Sequence, residues 1–462
     1  MGITLFAVFT VMEVALTVLS LTKCRSLWHR NRLFFCADEF VLMLLVMLLP
    51  VTGQKWRFTG CLIILGIRLA ISCIIYLIKQ RGSIKKERTK TKAIVGTVMS
   101  IIIIGFSLFP AFIFTGYSGL KTSGRYEVKE TQAILIDNSR LETFENDGSN
   151  REIPIHFYYP EGDTANCPLI LFAHGSFGYY QSNASLYAEL ASNGYVVASI
   201  DHPYYAFFTK DTEGKTIIID MEFMQTAVET QNSSDFTEND YNVVCEWMSV
   251  RTADENFVLD TIKTAKDLKA LDTAWYAESE DVKAEVLRAL EMTDTEKIGL
   301  TGHSIGGAAA VQLGRERDDI TAVVCIDGTM LGEYTSYNGG KLSYNPEPYP
   351  IPILSLDNES HWESYAVNES DEETDYVKNV NKYLLDNAIC GREVHFDGTE
   401  HMDFTDLPLF APALAKMLGK GDVDSSEFIP EINSIILEFF NYYLKGEGEL
   451  NIEPWNAQTA EK

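Results

Sequence analysis

The stretch Lys297–Ala310, KIGLTGHSIGGAAA, decides how the rest of the chain is interpreted. An apolar run typical of a strand ends in Gly302-His303-Ser304-Ile305-Gly306, and a run of small residues typical of a helix follows at once. The pattern G-x-S-x-G between a strand and a helix is typical of a sharp turn that exposes a nucleophilic serine. The stretch therefore predicts Ser304 as a nucleophile at a helix N-terminus, where backbone amides stabilise negative charge.

Charge is divided unevenly along the chain of 462 residues, whose formal net charge is −27. Residues 1–120 hold 14 Lys and Arg against 4 Asp and Glu, whereas the remainder holds 24 against 61. A basic, apolar N-terminal part followed by an acidic part predicts a membrane region at 1–120 and a water-facing catalytic domain at 121–462. The acidic charge of the second part argues against nucleic acid as a partner.

Four apolar stretches predict four transmembrane helices, each near the roughly 20 residues that cross a bilayer: Ile3–Leu21, Leu33–Val51, Cys61–Ile78 and Ala93–Tyr117. Asp38 and Glu39 make the second stretch the weakest of the four. The loops after the first and third stretches are rich in Lys and Arg, so the positive-inside rule predicts a multi-pass cell-membrane protein with its catalytic domain on the extracytoplasmic side. Glu13 and Arg68 lie within spans and are expected either to pair with each other or to reach water separately.

Apolar runs in residues 121–462 predict a mostly parallel sheet covered by helices on both faces. Tyr126–Ile136 and Glu152–Pro160 are expected to form a hairpin. The buried strands are expected at Pro168–Ala173, Tyr195–Ile200, Ala322–Ile326, Ile351–Leu356 and Arg392–Phe396, and the helices at Ser182–Ser192, Val250–Leu271 and Phe428–Leu444. The long connection at 204–242, rich in aromatic and acidic residues, is expected to be a lid or a functional insertion.

A serine nucleophile needs a neighbouring base that a carboxylate orients. In a strand–turn–helix architecture of this kind, the acid and the histidine follow the serine, each beyond the C-terminal end of a strand. His401 follows the last strand and is the predicted base, with His361 as a weaker rival. Asp327 and Asp357 both end apolar strands, and chain order alone does not choose between them. The spacing of the eight cysteines fits no zinc pattern, and we expect neither metal nor cofactor.

The predicted oxyanion hole consists of two backbone N–H groups near Ser304. One should belong to Ile305, the residue after the nucleophile, and the other to Ser176 in the turn after the first buried strand. His174 and His202 precede the serine in the chain and are expected to brace the site through hydrogen bonds.

The acidic part resembles the platelet-activating-factor acetylhydrolase family, in the form of its plasma-type and bacterial lipase-like members. The matching segments are Ile153–Pro160, Leu171–Gly175, Val197–His202, Gly302–Gly307, Ile326-Asp327 and His401-Met402-Asp403-Phe404-Thr405-Asp406. The resemblance covers roughly residues 125–445 and none of the apolar N-terminal stretches. It implies an α/β-hydrolase fold, Asp327 as the acid in preference to Asp357, and Ser176 as the second oxyanion donor. It also implies hydrolysis of short or oxidised acyl groups at the sn-2 position of phospholipids, without metal or calcium.

The predicted protein is thus an α/β-hydrolase preceded by a four-helix transmembrane region. Its predicted function is that of a membrane-anchored serine ester hydrolase acting on a phospholipid or small ester. A general carboxylesterase or lipase, an acyltransferase with a cell-surface substrate and a non-catalytic receptor of the same fold are the alternatives. The membrane region and the insertion depart from the family pattern and leave the substrate open, and the sequence predicts no oligomeric state.

Overall fold

The computed structural model describes residues 1–21, 28–81, 89–162, 164–232, 236–365 and 380–455. The chain divides into two compact units. The first comprises Met1–Gly119 together with Leu407–Met417, and the second comprises Leu120–Asp406 and Leu418–Lys462. Thr115 and Phe410 illustrate the grouping of the first unit, because the Thr115 amide donates to the Phe410 carbonyl at 2.7 Å.

Helices begin the first unit: α1 (Gly2–Leu21), α2 (Trp28–Leu48), α3 (Trp56–Gln80), α4 (Lys90–Ser107) and α5 (Phe109–Ile113). By length and composition, α1, α3 and α4 are the described helices that could cross a membrane. The prediction of four transmembrane helices is therefore wrong. Three of the described helices meet these criteria, and α2, which covers most of the second predicted stretch, does not. The helix α2 begins at Trp28, within the predicted loop, and so includes Arg30 and Arg32 as well as Asp38 and Glu39. Four charged residues are costly in a membrane-crossing helix.

A buried ion cluster joins three of these helices. Arg68 on α3 contacts Glu13 on α1, so the predicted pair is confirmed, and Arg68 Nη1 also lies 3.0 Å from Glu39 Oε2 on α2. The Glu39 side chain is fully buried. Charges shielded from water require close partners, which explains why both carboxylates converge on one guanidinium.

The strands of the second unit are β1 (Val128–Leu141), β2 (Asn150–Pro160), β3 (Cys167–Ala173), β4 (Val196–Ile200), β5 (Phe208–Lys210), β6 (Thr216–Ile218), β7 (Trp275–Tyr276), β8 (Thr293–His303), β9 (Ile320–Ile326), β10 (Tyr334–Asn338), β11 (Lys341–Tyr344), β12 (Ile353–Asn358) and β13 (Gly391–Phe396). The later helices are α6 (Ala184–Ser192), α7 (Met221–Asn232), α8 (Glu238–Leu268), α9 (Glu280–Met292), α10 (Ile305–Glu316), α11 (Glu359–Tyr365), α12 (Val380–Asp386), α13 (Leu407–Phe410), α14 (Pro412–Met417) and α15 (Ser425–Phe440). Of these helices, α13 and α14 belong to the first unit.

A nine-stranded sheet organises the second unit, in the order β13-β12-β9-β8-β3-β4-β2-β1-β7. The strands from β13 to β4 run parallel, and β2, β1 and β7 add an antiparallel end. All residues of β3 and β4 are buried, so the predicted parallel sheet with covered faces is confirmed. The predicted hairpin is likewise confirmed by the antiparallel pairing of β1 with β2. In the parallel part, the carboxyl ends of the strands share one edge, which is where ligand sites form in such sheets.

The expected insertion at 204–242 contains the hairpin β5–β6, the helix α7 and the start of α8. The helix α8 begins twelve residues earlier than the predicted start at Val250. Its early start has a local cause, since Thr237 and Asp240 form a capping box that satisfies the first amides of the helix.

Candidate active site

The turn between β8 and α10 holds Ser304 in an unusual backbone conformation, with φ 57° and ψ −128°. Such a conformation is strained for a residue with a side chain and occurs mainly at functional sites. The residues two positions before and after Ser304 must be glycine. A Cβ on Gly302 would lie 2.4 Å from the Gly306 carbonyl carbon, and one on Gly306 would lie 2.1 Å from the Ala173 oxygen. The G-x-S-x-G pattern therefore forms the sharp strand-to-helix turn that the sequence predicts.

Asp327 and His401 meet at the carboxyl edge of the sheet. Asp327 follows β9, the strand next to β8, and His401 follows β13 at the end of the sheet. The His401 Nδ1 atom lies 2.6 Å from Asp327 Oδ2. Ser304 is bonded to the same strand end, because its amide donates to the carbonyl of Ile326, the residue before Asp327, at 2.8 Å. With Nδ1 engaged by the carboxylate, Nε2 is the His401 nitrogen for proton exchange with a serine.

Asp357, the alternative acid, has different neighbours. Its Oδ1 atom lies 3.6 Å from His361 Nδ1, whereas His401 is bonded to Asp327. The adjacent residue Asn358 serves the Asp327 carboxylate instead, donating to Oδ1 from its amide and to Oδ2 from Nδ2, both at 2.9 Å. This geometry favours Asp327 as the partner of His401. Sequence reasoning missed Asn358, whose only signal was its place beside Asp357 at the end of β12.

Neighbouring side chains stabilise the negative charge of Asp327. Burial by itself acts to raise the pKa of this carboxyl group, but the hydrogen bonds and charges of His361 and His401 hold it well below its usual range. An ionised carboxylate is the form that fixes the imidazole tautomer and stabilises an imidazolium.

The turn after β3, residues 174–178, contains the second predicted oxyanion donor and is called the oxyanion turn below. A Cβ on Gly175 would lie 3.0 Å from the Ser304 Cβ, so glycine allows the close approach of the two segments. The turn is closed by the Gly178 amide, which donates to the Gly175 carbonyl at 3.1 Å. Ser176 is the next residue in this turn, and Ile305 is the first residue of α10, whose amide has no acceptor within the helix.

Hydrogen bonds hold this turn, as predicted for His174; His202 contributes its backbone amide, while its ring bonds Asp254 at 2.9 Å. His174 Nε2 accepts from the His202 amide at 3.2 Å, so its proton lies on Nδ1, which donates to the Gly175 carbonyl at 2.7 Å. Burial lowers the pKa of His174 well below its usual value, which keeps this tautomer neutral. Arg251 on α8, a fully buried residue, donates to the His174 carbonyl at 2.7 Å. Arg251 was not identified from the sequence, because α8 is distant from the turn along the chain.

His303 lies beside His401. Its Nε2 atom is 3.2 Å from the His401 carbonyl oxygen, and the two ring centroids are 4.5 Å apart. Burial lowers the pKa of His303 to about 3, so the ring is neutral and Nε2–H donates to that carbonyl. His303 therefore fixes the backbone of the segment that carries His401.

The insertion is bonded to the same turn. The Phe207 amide donates to the Gly178 carbonyl at 2.8 Å, and the rings of Phe177 and Phe223 lie 6.0 Å apart. Phe207, Ile218 and Met221 expose most of their apolar side chains. These exposed apolar side chains belong to the expected insertion, whose lid role stays a prediction.

Two groups of side chains among the described residues lie close enough together to hold a metal ion: His303, Asp327 and His401, and Asp327, Asp357 and His361. Both groups share Asp327, whose two oxygens already accept hydrogen bonds from Asn358 and His401. Hydrogen bonds within the protein therefore already engage the carboxylate that both groups share. The expectation of a metal-free site stays a prediction.

The sheet order, the strained serine turn after β8 and the carboxylate–histidine pair at the strand ends define an α/β-hydrolase. A solved structure with this fold, a ferulic acid esterase from Streptomyces cinnamoneus, has a TM-score of 0.51 at 20% identity and covers 73% of this chain and 96% of its own.

The chain belongs to the family described as platelet-activating factor acetylhydrolase, isoform II, whose model matches residues 156–461. It is 23% identical over 299 residues to a probable 1-alkyl-2-acetylglycerophosphocholine esterase of Arthroderma benhamiae, covering 62% of this chain. It is 24% identical over 304 residues to the platelet-activating factor acetylhydrolase of Bos taurus, covering 60% of this chain. The matched regions span 63% and 57% of these two relatives, less than two-thirds of either. The family resemblance seen in the sequence is confirmed.

Proposed function

We propose that the protein is a membrane-anchored serine ester hydrolase that cleaves short or oxidised acyl esters of phospholipids. The observation that carries this proposal is the hydrogen bond between His401 and Asp327 at the edge of the sheet where Ser304 occupies its strained turn. A carboxylate-bound imidazole next to such a serine is the arrangement that activates a hydroxyl group for attack on an ester.

In the proposed reaction, Ser304 Oγ attacks the ester carbonyl carbon while His401 Nε2 accepts the hydroxyl proton. The carbonyl oxygen becomes an oxyanion, which the amides of Ser176 and Ile305 stabilise. Collapse of this intermediate breaks the bond to the leaving alcohol, which takes the proton from His401 and departs. Water then attacks the acyl-enzyme with His401 as the base, which releases the carboxylic acid and regenerates Ser304. Asp327 holds the Nδ1–H tautomer and stabilises the charged imidazole throughout.

A phospholipid substrate is supported by the names of the relatives, which are esterases and acetylhydrolases of acetylated ether phospholipids. The insertion, whose Phe207 amide donates to the Gly178 carbonyl, exposes apolar side chains of matching chemistry. We infer that a short or oxidised acyl group enters the site, since this is the substrate class that the family resemblance implies.

We place the hydrolase unit on the extracytoplasmic side of the cell membrane. Residues 79–92, from the last turn of α3 to the first turn of α4, hold seven Lys and Arg against one Glu, which favours a cytoplasmic position for this segment. A membrane-crossing α4 then delivers the rest of the chain to the opposite side, whether or not α2 crosses.

The test uses the full chain in detergent micelles, a fluorophosphonate probe and a panel of esters. Ser304→Ala should abolish probe labelling and hydrolysis of p-nitrophenyl acetate, because loss of a catalytic serine typically lowers turnover by about 10⁶-fold. Ser343→Ala, an exposed serine on β11, serves as the matched control and should behave like the wild type. Wild-type turnover in Ser304→Ala would reject the mechanism.

The panel distinguishes the alternatives. Phospholipids with acetyl, oxidised short-chain and long-chain groups at sn-2 are compared with simple carboxylic esters, with and without an alcohol acceptor. A preference for short or oxidised sn-2 groups supports the proposal. Equal turnover of all esters indicates a general carboxylesterase, transfer to the alcohol indicates an acyltransferase, and a Ser304 that does not label indicates a non-catalytic protein.

A further inference from the structure

A second histidine lies against the carboxylate of Asp327. His361 on α11 has its Nδ1 atom 3.2 Å from Asp327 Oδ1, the oxygen that His401 does not contact. The same nitrogen is 3.6 Å from Asp357 Oδ1. Asp327 is therefore flanked by two imidazole rings, one on each oxygen, and only His401 has a place in the proposed reaction.

The start of α11 ties His361 to the same carboxylate. Asn358 Oδ1 accepts from the His361 amide at 2.9 Å, while the amide and the side chain of Asn358 donate to Asp327. One turn of chain thus provides both the Asn358 donors and the His361 ring. Because both oxygens of Asp327 have partners from this turn, the carboxylate has little freedom to rotate away from His401.

The surroundings of His361 favour the protonated ring. Burial opposes the charged form, but Asp327 and Asp357 outweigh it and raise the pKa of His361 to about 10. The remaining ionisable groups on elements packed against α11 have other contacts: His395 and Glu393 on β13 lie 3.3 Å apart, and Glu359 accepts from the Gly398 amide at 2.9 Å. Beyond Asp327, His401 faces the cluster with His303 behind it.

We propose that His361 is a positioning residue, which holds Asp327 through Oδ1, presents Oδ2 to His401 and offsets part of the carboxylate charge that His401 experiences. The proposal rests on the proposed hydrolase function, because it concerns how the base of that reaction is tuned. A carboxylate beside an imidazole favours the protonated ring, and a protonated His401 cannot accept the serine proton. A neighbouring positive charge weakens this effect, and His361 lies on the other oxygen of the same carboxylate.

The direction of the pH effect follows from the loss of that charge. In His361→Gln, the Asp327 carboxylate acts on His401 without the opposing charge of His361. The acidic limb of the kcat/KM profile should move up by about one pH unit. Activity at pH 6 should then fall about tenfold relative to the wild type, while activity at pH 9 stays within about threefold.

The experiment measures kcat/KM of the full chain in detergent micelles from pH 5 to 9, with p-nitrophenyl acetate as the substrate. Active enzyme is counted by fluorophosphonate labelling, so misfolded protein does not enter the rate. His361→Lys restores a positive charge and should return the acidic limb towards its wild-type position. His395→Gln is the matched control, because this histidine stacks on Trp362 next to His361 and contacts Glu393 instead of Asp327.

An unshifted acidic limb in His361→Gln, or an equal loss at every pH, would overturn the proposal. So would a His361→Lys variant whose limb moves as far as that of His361→Gln. Failure of the hydrolase proposal is seen separately, as turnover that survives Ser304→Ala in the same assay.

Discussion

Asn358 donates to both carboxylate oxygens of Asp327, from its backbone amide to Oδ1 and from its side chain to Oδ2. The two residues end neighbouring parallel strands, β9 and β12, whose carboxyl ends lie side by side. This contact explains why the residue next to the alternative acid supports Asp327 and does not compete with it. Asp327 is held from one side by Asn358, and Oδ2 is presented to His401 on the other.

Exchange of each aspartate for asparagine should identify the acid. Asp327→Asn removes the charge that holds the His401 tautomer, so kcat should fall by about 10³- to 10⁴-fold. Asp357→Asn should cost less than about tenfold, since Asp357 contacts His361 and acts on the base only indirectly. Steady-state kinetics on enzyme counted by probe labelling makes the comparison. The opposite ranking would make Asp357 the acid.

Arg251 should affect turnover through the oxyanion turn. Arg251→Met removes the donor to the His174 carbonyl and should lower kcat by about 10- to 100-fold with little change in KM, because misplacement of the turn affects the oxyanion more than the bound ester. Arg251→Lys retains a cationic donor and should recover part of the loss. Circular dichroism establishes whether each variant is folded, and a folded Arg251→Met with wild-type kcat contradicts the assigned role.

Asp201 should make stability depend on pH. Burial raises the pKa of Asp201 to about 8, although the Tyr180 amide donates to its Oδ1 at 2.7 Å. A carboxyl group in an unfolded chain has a pKa of about 4, so the folded protein holds a proton that the unfolded chain releases between about pH 4 and 8. This contribution to the free energy of unfolding is fully present below the unfolded pKa and is lost as the pH rises towards the folded one.

Asp201→Asn keeps the acceptor for Tyr180 and removes the titration. Between pH 5 and pH 8, the unfolding free energy of the variant should gain about 1–3 kcal/mol relative to the wild type. Thermal denaturation at both pH values measures the difference. Asp267→Asn, an exposed position on α8, is the matched control. A stability difference between Asp201→Asn and wild type that does not change with pH would show that Asp201 is ionised throughout.

Arg68 should be required for the helices of the first unit to pack. Arg68→Met leaves Glu13 and Glu39 buried without a counter-charge and should destabilise the helix packing by about 3–5 kcal/mol. Thermal aggregation in detergent measures the loss. Replacing Glu13 and Glu39 with glutamine in the same variant should restore most of the melting temperature, and an Arg68→Met variant as stable as the wild type would remove the cluster from the packing argument.

Local patterns were sufficient for some elements and not for others. The serine turn could be predicted because its pattern of glycines around Ser304 lies within five residues, although the need for Gly306 comes from Ala173 on β3. The count of membrane helices could not, because α2 begins at Trp28 and includes Arg30 and Arg32, which the sequence placed in a loop. The start of α8 was also missed, since the capping contact between Thr237 and Asp240 depends on side-chain orientation.

The sequence alone determined the strand–turn–helix around Ser304, the buried parallel strands and the basic-to-acidic division of the chain, because each depends on residues close together in the chain. Tertiary structure decided which carboxylate faces His401, that Asn358 and His361 hold it, and that Glu39 joins Glu13 on Arg68. Those choices depend on which strand ends and helices become neighbours, and on how each side chain is then oriented. The order of residues along the chain reveals neither these neighbours nor these orientations, because residues far apart along the chain share an edge of the sheet only after the strands have paired.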